Sequence, residues 1–428
     1  MKKVLSEVLP VIKPSLKELK AEVEFSRTLV GHIKKKIPRR CDVVLTGSVA
    51  KRTFLREKRD LDVFVLFDRS VPKEKLEPYI KDIMKAAFPS TGYQLSYAEH
   101  PYARFHFKGR RIDLVPAYRI SRPSQRLSAV DRSVLHTRFV RKWLKVEQRD
   151  DILLLKQLLK ANSLYGAEIK VNGFSGYLCE LLIIRYKSFP TLVRATAKWK
   201  PPVFIDIKKY YKGKKEVENA IARLGRFTVI DPTDSKRNVA AAVSHTNLLK
   251  FIKLCRSFIK KPSTDFFLRR PETFEQKVSK TAKRYSVFTL TMPRPGVVDD
   301  VLWGQLRRMM KQLRECLVDF NPKSIFADDS RHLVRLAIAL ERDRLPPTVM
   351  VEGPPLSMKK HVEKFRKAHK KAKIITRKRR VHAVKKRAVV RAEVAIMQFF
   401  KAFSSSKSHL AYPEEMLVLE RAKVKSSR

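Results

Sequence analysis

Between residues 45 and 67 the chain runs as a short apolar strand, a Gly47-Ser48 break, a stretch rich in Lys and Arg, and a second apolar strand that carries Asp60 and Asp62. Few folds tolerate this order. Gly47 has no Cβ, so its backbone can turn sharply and approach a ligand closely. Ser48 is then placed to cap a short helix whose free N–H groups face an anion such as a triphosphate. Along a strand, residues two apart project from the same face, so Asp60 and Asp62 stand side by side and repel unless a cation lies between them. Hard oxygen ligands at this spacing suit Mg2+.

A third carboxylate, Asp113, lies on the apolar run 111–116, the return strand of a hairpin turned at Lys108-Gly109-Arg110. If that strand lies beside the Asp60–Asp62 strand, three carboxylates converge in the arrangement that holds metal ions for in-line phosphoryl transfer. A Gly-Ser pair alone is ordinarily a turn, and a D-x-D alone is ordinarily a surface or capping pair. The ordered set is far more specific than either.

The charge balance points to a polyanion. Lys and Arg number 94 against 42 Asp and Glu, a net +52. Heat adaptation adds Glu along with Lys, and here the acids lag; a field of this size attracts nucleic acid. Cys41, Cys179, Cys255 and Cys316 are scattered without C-x-x-C or zinc spacing, which reads as reduced core thiols of a cytoplasmic protein. The first residues carry no apolar core behind a basic start, so no signal peptide is expected. Apolar stretches such as 178–184 are broken by charge too early to span a bilayer, and no membrane partner is expected.

The pattern divides the chain into α+β parts. Residues 1–145 read as a mixed sheet with packed helices: strands near 43–45, 61–67, 93–98, 103–107 and 111–116, helices near 18–36 and 73–87. Residues 146–262 read as helical, with helices near 152–160, 173–186 and 247–260 and a loop at 231–238. A break at Pro262-Ser263 opens an α+β body, 263–352, with strands near 287–291 and 334–340 and a helix near 299–320. Residues 353–428 read as a basic helical tail whose last part, from Ser404, is weakly patterned.

The motif set, with the segments 97–102, 128–132, 159–162, 165–168, 173–182 and 231–241, resembles the archaeal, class I CCA-adding enzymes, transfer RNA nucleotidyltransferases of the DNA polymerase beta superfamily. The resemblance implies that Asp60, Asp62 and Asp113 are the Mg2+ carboxylates and that Ser48 contacts the triphosphate. His136, Lys156 and Tyr165 match positions lining the phosphate and sugar of the incoming CTP or ATP, and Arg237 matches the arginine that reads the base. The family's Gly-Ser motif continues Tyr-Ala-Arg where this chain has Val49-Ala50-Lys51. Lys51 keeps the charge of a phosphate contact and loses the bidentate fork. The resemblance also suggests a homodimer.

Cytosine and adenine share an exocyclic amino donor beside an unprotonated ring nitrogen, whereas uracil and guanine present a carbonyl and a ring N–H. One Arg donor with one RNA phosphate acceptor therefore accepts C and A and rejects the others. Between Lys359 and Arg391 only Glu363 is acidic among many cations, and Arg377, Lys378, Arg379 and Arg380 are the candidate grip on tRNA duplex. A poly(A) polymerase or oligoadenylate synthase on the same catalytic head is the enzymatic alternative, disfavoured by the Arg237 segment. An RNA-binding protein with a retired head is the non-enzymatic one, disfavoured by the intact Asp trio.

Overall fold

The computed structural model describes residues 1–57, 60–97 and 101–422. Ala98, the expected end of the third strand, and part of the 97–102 segment lie outside them. The chain forms two compact units, Met1–Pro271 and Glu272–Arg428. The first begins with α1 (Lys2–Ile12) and α2 (Leu16–Lys34), followed by β1 (Asp42–Thr46), α3 (Gly47–Lys51), β2 (Leu61–Phe67), α4 (Leu76–Ala87), β3 (Tyr93–Tyr97), β4 (Pro101–Phe107), β5 (Arg110–Tyr118) and α5 (Arg132–Trp143). Local chemistry sets these bounds. Ser15 and Glu18 close a reciprocal capping box on α2. In α4, Leu76, Ile80, Ile83, Met84 and Ala87 recur at helical spacing and are the residues it buries.

The strands form one sheet in the order β1-β2-β5-β4-β3. β2 is antiparallel to β1 and parallel to β5. Its alternation serves two cores: Leu61, Val63, Val65 and Phe67 pack with Leu29 and Ile33 of α2 and with α4. Phe64 and Leu66 pack on the other face with Val115, Ala117 and Val134 of α5. Asp62 shares the parity of Phe64, so it stands on the face that α5 covers, and Asp60 directly precedes the strand.

The unit continues with α6 (Gln148–Ala161), α7 (Gly176–Tyr186), α8 (Phe189–Ala197), β6 (Val203–Ile205), α9 (Lys214–Leu224), β7 (Phe227–Asp231), β8 (Asp234–Asn238), α10 (His245–Lys260) and α11 (Asp265–Leu268). Helices α6, α7, α8 and α10 share one apolar core, and α1 joins it through Val8 and Ile12. Two expectations need correction. The loop at 231–238 is the β7–β8 hairpin of a three-stranded sheet, so Arg237 sits on a strand. The unit also runs past Pro262, because Phe267 is buried and the carbonyls of Phe266 and Phe267 accept from Asn162, which caps the end of α6, and from Gln157 within it.

The second unit holds α12 (Phe274–Ala282), β9 (Ser286–Pro293), α13 (Asp299–Cys316), β10 (Pro322–Asp329), β11 (Leu333–Leu340), β12 (Thr348–Pro355), α14 (Lys359–Ala368), β13 (Lys373–Arg377), β14 (Arg380–Lys386), α15 (Ala392–Phe403) and β15 (Val418–Arg421). Its sheets are ordered β10-β11-β9-β15 and β12-β14-β13. The expected helical tail is thus helix and sheet together. The break expected at 352/353 falls inside β12, and the weakly patterned end supplies β15, which pairs with β9. Arg377, Lys378, Arg379 and Arg380 form the tip of the β13–β14 hairpin. Lys378 and Arg379 both have positive φ, +50° and +57°, as a two-residue type I′ turn requires. Cys179 and Cys255 are core thiols as expected, but Cys41 is half-buried and Cys316 exposed. Among the described residues no helix is long and apolar enough to cross a membrane.

Candidate functional site

The strand register brings the carboxylates together. Thr46 faces Asp62 across β1–β2, and Asp62 faces Asp113 across β2–β5. Gly47, with φ +68°, packs against Asp62 so tightly that a Cβ there would lie 1.8 Å from Asp62 Oδ2. Any side chain at 47 would displace the central carboxylate. Because the turn is made at Gly47, the residue capping α3 is Thr46, and Ser48 lies within the helix rather than at its cap as expected.

Burial, then Asp113, push the Asp62 carboxyl up to about 6. Such a set of hard oxygen donors fits a divalent cation, which would replace repulsion by shared attraction. The outer two carboxylates are meanwhile held by cations. Arg104 donates to Asp113 through Nε and Nη2, at 2.8 and 2.9 Å, and Arg111 pairs with Asp60. Among the described residues no three His, Cys, Asp or Glu side chains stand together as a ready metal cage.

Ser48, Lys51, Asp60, Asp62, Lys156 and Tyr165 all line one cleft of about 490 Å3. Its far wall is organised by Glu180 of α7, which has no solvent exposure. Lys51 Nζ donates to Glu180 Oε2 at 2.6 Å. The Thr53 hydroxyl donates to Oε1 at 2.7 Å, and Lys156 Nζ donates to the Thr53 carbonyl at 2.8 Å while lying 3.5 Å from Oε1. Burial pushes the Glu180 carboxyl up, but the two ammoniums outweigh it and hold the carboxyl below its ordinary value. Burial holds the Lys156 ammonium below its ordinary value, so Lys51 is the firmer of the two cations that share this one anion across the cleft from Asp60 and Asp62. Gly176 makes room: a Cβ there would meet the Tyr165 hydroxyl at 3.1 Å.

His136 and Arg237 meet elsewhere, at Asp231. His136 Nε2 lies 2.8 Å and Arg237 Nη1 2.9 Å from Asp231 Oδ2. Tyr177 joins the two groups of residues. It lines the cleft, stacks on the His136 ring at 4.0 Å between centroids, and donates its hydroxyl to Asp231 Oδ1. Arg237 in turn lines a second cleft of about 1100 Å3, with Arg126, Arg132, Arg223 and Lys236.

Sequence reasoning missed Glu180, Asp231, Tyr177, Arg104 and Arg111 as site residues. Glu180 had left a signal: a lone acid inside the apolar run 178–184 must be buried, and a buried acid needs partners.

Family models match along most of this architecture: a nucleotidyltransferase domain over residues 26–136, the second domain of tRNA nucleotidyltransferases over 150–268, and the C-terminal domain of CCA-adding enzymes over 283–410. The CCA-adding enzyme of Methanocaldococcus jannaschii is 34% identical over 384 residues, 87% of this chain and 85% of that one. This chain belongs to the CCA-adding enzyme family. The CCA-adding enzyme of Methanoregula boonei is 36% identical over 341 residues, 76% of this chain and 71% of its own. A solved structure of Cid1, described as having RNA terminal uridylyl transferase activity, superposes with a TM-score of 0.50 at 15% identity, covering 64% of this chain and 99% of that one. That likeness is one of fold. The nucleotidyltransferase domain of the CCA-adding family here contains β1 to β5, and with them the whole Asp trio.

Proposed function

We propose that this member of the CCA-adding family adds C, C and A to the 3′ end of tRNA from CTP and ATP, releasing pyrophosphate. The observation that carries the reading is the Asp62–Asp113 register with Gly47 packed on Asp62, opening into a cleft whose other wall is cationic. Asp60, Asp62 and Asp113 would hold Mg2+, which when bound activates the RNA 3′-hydroxyl and neutralises charge on the leaving pyrophosphate. Arg104 and Arg111 balance these carboxylates until then. Lys51 and Lys156 present their surplus charge to the triphosphate, with Ser48 and Tyr165 beside them. His136 lies by the sugar, and Arg237 offers its donors to the base edge. The family suggests a homodimer, and the scattered thiols a cytoplasmic one.

The direct test incubates tRNA lacking its CCA with each labelled nucleotide and sequences the product ends. Ordered addition of C, C and A is expected; a run of A would favour a poly(A) polymerase instead.

Arg237 carries base selection in this reading. Arg237→Ala is expected to weaken use of CTP and ATP together and to blunt rejection of UTP, measured as kcat/KM for each nucleotide. An unchanged preference would mean that the base is read elsewhere.

The hairpin tip at 377–380 is read as a grip on tRNA duplex. Its turn forces two side chains into left-handed backbone conformations that ordinary residues avoid, and it presents four consecutive cations, of which Arg380 is also tied to Glu352. Phosphate contacts suit RNA duplex, whose deep major groove hides its bases. Replacing all four by Ala should weaken tRNA binding and flatten its salt dependence, by roughly 0.9 in log–log slope per contact on the DNA-duplex scale. Affinity measured across a salt series checks this; an unchanged slope removes the tip from the interface.

A further inference from the structure

We propose that Asp231 is a positioning residue for nucleotide choice: it fixes the guanidinium of Arg237 in the one orientation from which that side chain distinguishes C and A from U and G. The proposal rests on reading Arg237 as the base reader. Asp231 closes β7 with no solvent exposure, a place where a carboxylate survives only if its oxygens are filled. They are filled unequally. Oδ1 accepts the backbone N–H of Thr233 at 2.9 Å, the Thr233 hydroxyl at 2.8 Å and the Tyr177 hydroxyl at 3.1 Å. Two of these bonds lie within its own turn and the third comes from α7, so together they lock the carboxylate plane. Oδ2 is thereby aimed at Arg237 Nη1 and His136 Nε2.

One oxygen is therefore held by structure and the other does the holding. An arginine half-open to solvent, on a short two-stranded hairpin, would otherwise sample several rotamers, and each would present different donors to a base edge. Anchored at Nη1, its planar fork keeps the remaining N–H groups in a fixed direction at the edge of the larger cleft. His136 shares the same oxygen, but its ring is stacked on Tyr177 and held inside the fold, so Arg237 is the partner of Oδ2 whose remaining donors open onto the larger cleft. Arg126 and Arg132 are taken up by Asp234 instead, at 3.3 and 3.4 Å.

Asp231→Asn separates the two roles. Its amide oxygen can keep the Thr233 and Tyr177 bonds, while its NH2 group would face Arg237 donor to donor and release it. The measurement is kcat/KM for CTP and for UTP on tRNA ending one nucleotide short of its first C, for wild type, Asp231→Asn, Arg237→Ala and the double variant, with melting curves for each. The CTP-to-UTP ratio is expected to fall about tenfold or more in Asp231→Asn, the scale of a lost charge-assisted hydrogen bond. It should fall no further in the double variant than in Arg237→Ala. A folded Asp231→Asn with the wild-type ratio, or an additional fall in the double variant, overturns the proposal while leaving Arg237 as the reader. An unchanged ratio in Arg237→Ala overturns the reading itself and the proposal with it. Should Asp231→Asn not fold, Tyr177→Phe removes one lock on Oδ1 and keeps the carboxylate. A lowered ratio there supports the proposal, and an unchanged ratio overturns it.

Discussion

Asp62→Asn or Asp113→Asn is expected to lower nucleotide incorporation by far more than about 100-fold, which is the upper range for losing a mere outer partner of a metal site. The amide keeps the volume against which Gly47 packs, so the loss would be one of charge and not of shape. Asp62 shows why the two effects separate. Its carboxyl is raised to about 6 by burial and by Asp113, so without a cation its ionised form is a burden on the folded state. The sign follows from linkage: a carboxyl with a folded pKa above its unfolded value loses stability as pH rises through that window, from 3.8 to about 6. At pH 7 without divalent ion, Asp62→Asn should therefore melt no lower than wild type while having lost turnover. Single-nucleotide incorporation at saturating Mg2+, alongside melting in chelator, reads both. Wild-type turnover by either variant would remove the carboxylates from the chemistry.

Glu180→Gln is expected to show the reverse pattern, a large loss of stability. The substitution keeps the shape but leaves the buried ammoniums of Lys51 and Lys156 without a counter-charge. Breaking a buried pair from one side costs about 3–5 kcal/mol. At roughly 2–4 °C per kcal/mol for a unit of this size, the melting temperature should fall by about 10 °C. The pH dependence gives a second readout. The Glu180 carboxyl lies below its ordinary 4.5, so its contribution is full above that pH and is lost as pH falls through the lower folded value. The variant lacks that slope, and the two stability curves should converge in acid. Equal melting temperatures at neutral pH would mean that the lysines find their compensation elsewhere.

The parts of the site legible in sequence are those fixed by local periodicity. Strand alternation places Asp62 on the face of Phe64 whatever the partner strand, with Asp60 just ahead of the strand, and a missing Cβ at Gly47 announces a close approach without saying to what. The stripe Leu76, Ile80, Ile83 and Met84 specifies α4 by itself. Local pattern cannot choose partners across the chain. That Asp113 falls opposite Asp62, and not one residue away on the other face, depends on the parallel register of β2 and β5, in which neighbouring pairs such as Val63 and Leu114 fill the core together. Glu180 stood in the sequence as a single acid in apolar surroundings, and only the fold brought Lys51, more than a hundred residues away, to it, as it brought His136 and Tyr177 to Asp231. In the basic segment the density of cations hid a strand pattern. Val381 and Ala383 are buried in β14 while Arg379, Lys385 and Lys386 remain exposed, because a small three-stranded sheet has to bury only a few small apolar residues of its central strand and leaves the rest of its surface to charge.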